Sequence, residues 1–245
     1  MRLRIITYLS PSIPAELYEL IARDLGEQCG VAAELSFEKR ISGPLDGDDD
    51  LFTRGAADVG FLCAPSFRWL NARGRAVELL PLPVPSDPRA EGRPVYFADV
   101  VVRADSPART FADLAGARWS FNDRNSKSGW FSMLERIAPR TPAEFFGELV
   151  AAGSHLRSLE LVAGGDADAA AIDSNVLRAN PRETLRVLES WGPFPIQPAV
   201  IRAGHPAKQR VAGALLTIHE RHGDALAQHG VSRFVAGDER VYGPR

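Results

Sequence analysis

Apolar and polar positions follow two periods along this chain. Short apolar runs at 3–8, 32–37, 58–63 and 77–82 read as strands. The third is apolar almost throughout, as in a strand covered on both faces. Leu17, Leu20, Ile21 and Leu25 recur at helical spacing behind Ser12, Pro14 and Glu16. Those three supply a cap, an early proline and an early acid. Gly26 or Gly30 stops this helix, and another begins at Pro65. The second half repeats the grammar, with strands at 95–102, 117–121, 167–172, 184–188 and 199–202. Helices are predicted over 129–137, over 141–149 and over 155–162. The middle one starts at a capping box, Thr141-Pro142-Ala143-Glu144. After Pro206 an apolar stripe of Val211, Leu215, Leu216 and Ile218 predicts a helix, with a short final one near 224–229. Strands alternating with helices predict an α/β fold, its sheets mostly parallel and flanked by helices.

Composition narrows this picture. The 245 residues allow one large domain or two small ones, and 45% hydrophobic content is enough for a core without staples. Lys+Arg is 29 against Asp+Glu 31, so the basic surplus of a nucleic-acid binder is missing. Cys29 and Cys63 form no CxxC pair and read as small buried hydrophobes. No apolar run approaches the ~18 residues of a membrane span, so no direct membrane insertion is expected. The first residues lack the apolar stretch of a signal peptide. As written the chain is predicted cytoplasmic, or periplasmic if an upstream start precedes it.

Catalytic and cofactor signatures are mostly negative. There is no GxGxxG, no GxxxxGK[ST] and no GxSxG, and no cofactor is expected. His219-Glu220-Arg221-His222 is one residue short of HExxH and reads as a solvated helix surface. Asp46-Gly47-Asp48-Asp49-Asp50 lacks the calcium-loop spacing and reads as an acidic turn.

The informative stretch is Trp119–Trp130, where a strand ends and a helix begins. Asn125, Ser126, Lys127 and Ser128 lie at that helix start. The first N–H groups of a helix have no partner inside it, and its dipole favours negative charge there. Two hydroxyls and an ammonium beside them suit an oxyanion. An ordinary Ser/Asn cap is the alternative.

Other segments fall in order around that loop. F-A-D-L-A-G-A-R-W-S-F precedes it, Gly153-Ser154-His155 opens a later helix, and G-D-A-D-A-A-A-I-D-S ends at Ser174. G-A-A-D-V-G-F-L, from Gly55, has a parallel form. The ordered set resembles the phosphate/phosphonate-binding group of type II periplasmic solute-binding proteins over about residues 3–220. The resemblance implies two lobes, 1–95 plus 200–245 and 96–199, with a ligand cleft between them. It implies that Ser126, Lys127 and Ser128, with Asn125 beside them, hold a small anion. His155 and Asp173 would line the cleft, Tyr8, Ser10, Ser66 and Phe67 would face them, and Tyr96 would lie near the crossing strand. Three positions depart from the pattern. Lys127 stands for a usual Thr, Phe67 for a frequent Tyr, and residues 42–53 are acidic and irregular in place of a helix.

The resemblance implies a non-enzymatic binding protein for phosphate, phosphonate or a related organic oxyanion, with an ABC permease as partner. Two alternatives use the same fold. One is a cytosolic enzyme of cofactor biosynthesis with His155 and Asp173 as acid/base candidates. The other is a sensing module that signals to a separate partner.

Overall fold

A computed structural model describes residues 2–38, 42–45, 49–74 and 76–243. The chain divides into two compact units, Met1–Val95 with Pro195–Arg245, and Tyr96–Phe194.

The first unit opens with strand β1 (Arg2–Thr7) and helix α1 (Ala15–Cys29). The helix starts after Pro14 with no side-chain cap, so Ser12 does not serve as one. It runs past Gly26 to Gly30, whose φ of 64° gives the left-handed turn that stops it. Strands β2 (Ala32–Phe37) and β3 (Val59–Phe61), helix α2 (Ala64–Ala72) and strand β4 (Val77–Leu79) follow. The run expected at 77–82 breaks in two, and β5 (Leu82–Pro85) belongs to a different sheet. After the second unit the chain returns as β11 (Ala199–Arg202), helix α7 (Lys208–Gln228) and β12 (Val231–Val235). The main sheet has the order β2-β1-β3-β11-β4. β1 runs parallel to β2 and β3, while β11 is antiparallel to both β3 and β4. Leu17, Ile21 and Leu25 of α1 pack with Val211, Leu215 and Ile218 of α7 in one core. Leu216 is exposed and leaves the expected stripe.

Non-helical dihedrals at His222 kink α7, and the short stretch beyond them through residue 228 is the final helix expected near 224–229. The Arg221-His222 segment of α7 departs from the sequence reading, since it is not a plain solvated face. Arg221 forks onto both oxygens of the fully buried Asp24 at 2.7 Å, and His222 Nε2 lies 3.2 Å from the same carboxylate. β12, unforeseen, pairs antiparallel with β5.

The second unit contains β6 (Val95–Arg103), β7 (Arg118–Phe121), α3 (Ser132–Ile137), α4 (Pro142–Phe145), β8 (Glu148–Ala151), α5 (His155–Gly164), β9 (Ala169–Asp173), α6 (Ser174–Ala179) and β10 (Leu185–Pro195). Its sheet has the order β10-β6-β9-β7-β8. β7 is parallel to β8 and β9, and β6 is antiparallel to β9. The capping box at Thr141 forms, with Glu144 accepting from the Thr141 N–H at 2.6 Å. The helix nevertheless ends at Phe145, well short of residue 149. Phe145 and Phe146 both turn into the core, stacking on Phe111 (5.2 Å) and Trp119 (4.9 Å). The chain then extends as β8 beside β7.

The two units share one plan. In each, three parallel strands meet an antiparallel fourth, and an aspartate just before the inner strand anchors the first strand. Asp58 accepts from the Arg4 N–H (3.0 Å), Nε (2.9 Å) and a terminal guanidinium nitrogen (2.8 Å). Asp168 accepts from the same three groups of Arg118, at 2.8, 3.2 and 2.7 Å. Burial opposes ionisation of Asp58, but the Arg4 bonds outweigh it and hold the carboxyl below its ordinary range.

Candidate functional site

β7 ends at Phe121, and a polar loop carries the chain to the next helix. The Asp123 carboxylate organises the loop, accepting from the Asn125 N–H and from Asn122 Nδ2, each at 2.7 Å. Ser126 then caps the helix, its Oγ accepting from the Gly129 N–H at 3.0 Å. A π-helical turn, Lys127–Phe131, feeds straight into α3, so the helical run begins at Lys127 and not at Gly129. Trp130 and Phe131 both donate to the Ser126 carbonyl. Such turns cluster at functional sites.

Three of the expected residues meet here. Ser126 Oγ lies 3.4 Å from Ser128 Oγ, and Ser128 Oγ lies 3.1 Å from His155 Nε2. All three side chains are buried. His155 is the first residue of α5, set by the Ser154 hydroxyl, which accepts from the Arg157 N–H at 3.1 Å. Burial pushes the His155 imidazole down to about 3, so the folded protein holds it neutral near pH 7.

This burial has a pH consequence. Below the ordinary imidazole value of 6.5 the unfolded chain takes up a proton that the folded chain refuses. Stability contributed by His155 is therefore full above pH 6.5 and falls as the pH drops toward 3. At pH 5 the loss is about 2 kcal/mol. Urea unfolding of the wild type and of His155→Gln at both pH values should show the wild type losing more on acidification. Equal losses would place the acid sensitivity elsewhere.

Two further residues pack against this group of side chains. Asn122 is buried, and its Oδ1 has no hydrogen-bond partner among the described residues. That oxygen lies against Gly129, where a Cβ would stand 1.8 Å from it and 3.3 Å from His155 Cε1. Gly129 was visible as the start of the helix predicted over 129–137. Nothing in the sequence showed that Asn122 presses on it.

The other expected residues have different surroundings. Lys127 directs its ammonium to the Glu135 carboxylate, at 2.6 and 2.7 Å, and over the Phe194 ring at 4.7 Å. The charge expected to serve the anion loop is thus engaged by Glu135 and Phe194. Asn125 contributes its N–H to the loop turn. Asp173, buried at the end of β9, caps α6 by accepting from the Asn175 N–H at 2.8 Å. Tyr96 is buried on β6 with its ring 6.0 Å from that of Phe194. In the first unit, Tyr8 is buried just beyond β1, and Ser10 Oγ donates to the Ile13 carbonyl at 3.1 Å. Ser66 Oγ donates to the Ser42 carbonyl at 3.1 Å, and Phe67 meets the edge of Tyr242 at 5.1 Å.

Among the described residues no cluster of three or more His, Cys, Asp or Glu could hold a metal. No described helix is long and apolar enough to cross a membrane. Asp46, Gly47 and Asp48 of the acidic turn lie outside the described residues. Asp50 accepts from the Phe52 N–H at 2.9 Å, and Asp49 pairs with Arg54. Cys29 and Cys63 are buried thiols.

Comparison with known proteins agrees with the fold. No curated protein matches the chain. A binding protein component of an ABC phosphonate transporter from Pseudomonas aeruginosa is 18% identical, with a TM-score of 0.76, covering 98% of this chain and 83% of that one. PhnD1 of Prochlorococcus marinus, solved with methylphosphonate, is 15% identical with a TM-score of 0.78, covering 99% and 94%. A Xanthomonas citri protein solved bound to ATP is 19% identical with a TM-score of 0.69, covering 98% and 92%. The family described as "ABC transporter, phosphonate, periplasmic substrate-binding protein" matches residues 3–242, and this chain belongs to that family.

Proposed function

We propose that this protein binds a phosphonate or a related small oxyanion for an ABC uptake system, with Ser126 and Ser128 as its principal anion ligands. The carrying observation is the pair of buried hydroxyls, 3.4 Å apart, backed by a neutral histidine at the start of a helical run. A buried anion needs donors more than counter-charge, and donors to an ionised group are the strong hydrogen bonds. With its proton on Nε2, His155 donates to Ser128 Oγ. Both serine protons are then free to turn toward a ligand. With the opposite tautomer the relay would point inward and leave one proton fewer. The Ser128 N–H lies in the first helical turn and adds a backbone donor there.

Asp173, Tyr96 and Asn125 are the remaining ligand candidates of the second unit, and Tyr8, Ser10, Ser66 and Phe67 those of the first. The partner in this reading is an ABC permease. The methylphosphonate seen with the Prochlorococcus protein supports the ligand class.

Titration calorimetry with methylphosphonate, phosphate, sulfate and methanesulfonate tests the proposal. Wild type should bind at least one phosphorus oxyanion, and phosphorus NMR should recover it unchanged. Ser128→Ala should weaken binding by roughly 10–150-fold, the worth of one hydrogen bond to a charged group. A wild type that binds none of the four defeats the reading, and turnover of the ligand would favour an enzyme.

A further inference from the structure

The site as described lacks a cation. His155 is neutral, and the Lys127 ammonium is engaged by Glu135 and Phe194. Arg124 is the loop's other cation. It sits in the same loop, two residues before Ser126, and is exposed. Its guanidinium carbon lies 5.0 Å from the Trp130 ring centre and 6.0 Å from that of Phe121. Those rings are 4.7 Å apart. The guanidinium therefore rests on a two-ring platform built from the residue that ends β7 and from the helical turn that Ser126 caps and Ser128 belongs to.

An aromatic platform fixes a guanidinium without neutralising it. The ring faces attract the cation, and its N–H donors remain directed outward from its edge. Nearby carboxylates are otherwise engaged. Asp123 accepts from Asn122 and Asn125, and Glu135 accepts from Lys127. Among the described residues Arg124 makes no ion pair. A planar fork with unused donors is the side chain best shaped for two oxygens of one phosphorus group.

We infer that Arg124 is the specificity-determining cation of the anion site, favouring doubly ionised phosphonates over singly charged sulfonates. This rests on the proposed serine site. Its role is contact with the ligand, and the matching feature of the ligand is its second negative charge.

Calorimetry on the full chain compares methylphosphonate, at a pH where it is a dianion, with methanesulfonate. The variants are Arg124→Gln, Arg124→Lys and Ser126→Ala. Arg124→Gln should weaken methylphosphonate at least tenfold and methanesulfonate much less, so the ratio of the two affinities collapses. Arg124→Lys should keep part of that ratio, because its charge remains. Unchanged melting temperatures would confirm that the exposed position does not disturb the fold. A ratio in Arg124→Gln equal to wild type, with binding lost in Ser126→Ala, overturns the inference and leaves the serine site standing. A wild type that binds neither anion removes the serine site, and the inference with it.

Discussion

Gly129→Ala is expected to abolish oxyanion binding and to destabilise the protein by about 1–3 kcal/mol, the usual cost of overpacking a filled interior. The new methyl carbon would stand 1.8 Å from Asn122 Oδ1, far inside contact distance. Asn122 cannot yield freely. Its Nδ2 is tied to Asp123, and Asp123 in turn holds the Asn125 N–H next to Ser126. Any relief on that side passes straight into the serine loop. On the other side the methyl meets His155 Cε1 at 3.3 Å, and His155 holds Ser128. Both routes move a ligand-binding hydroxyl. Calorimetry and urea unfolding on the same preparation check the two effects, and a variant that keeps both affinity and stability would contradict this packing.

Arg4→Met and Arg118→Met should differ sharply although each removes two side-chain bonds to an aspartate, and although Arg118 also donates to the Gly165 and Asp166 carbonyls at 2.8 and 3.1 Å. Each arginine gives its partner aspartate one backbone and two side-chain hydrogen bonds. Environment decides the outcome. The Asp58 side chain is 2% exposed, and Asp168 is 44% exposed. Losing Arg4 leaves a buried carboxylate with the Arg4 N–H and the more distant Arg202 (3.5 Å) and His205 (3.6 Å). Breaking a buried pair this way costs about 3 kcal/mol. Losing Arg118 leaves a carboxylate that water can solvate, and such pairs are worth about 1 kcal/mol or less. Denaturant midpoints of the two variants measure the gap, and equal losses would contradict the burial argument.

Much of this was legible in the sequence, for local reasons. β1, α1, β2 and α5 follow from short-range periodicity and punctuation, and their main signals fall within one or two turns. The serine loop was legible because strand, polar loop and helix start are contiguous. What escaped depends on distant partners. β12 and β5 stabilise each other, but Pro83 and Pro85 lack N–H donors, so neither segment looks like a strand alone. The end of α4 is set by two phenylalanines entering an aromatic core, which no capping signal reports. Asp24 and Arg221 lie 197 residues apart, so their contact is invisible to periodicity. The direction of Lys127 belongs to the same class. Its charge could be read, but the pull of Glu135 and Phe194 could not. Arg124 escaped for the opposite reason, since one more arginine in a polar loop carries no signal until the rings beneath it are seen.

The antiparallel strand β11 has a consequence for how the chain is made. It lies between β3 and β4, yet it is encoded after the whole of the second unit. A ribosome that has delivered residues 1–95 has supplied both flanking strands and nothing to join them. The helix whose Val211, Leu215 and Ile218 complete the core is still later. The second unit, by contrast, is one uninterrupted segment with every strand of its sheet in hand when residue 194 emerges. Birth order and folding order are therefore reversed. The half of the molecule synthesised first is finished last, and until then its exposed strand edges are the part of the nascent chain most in need of a chaperone.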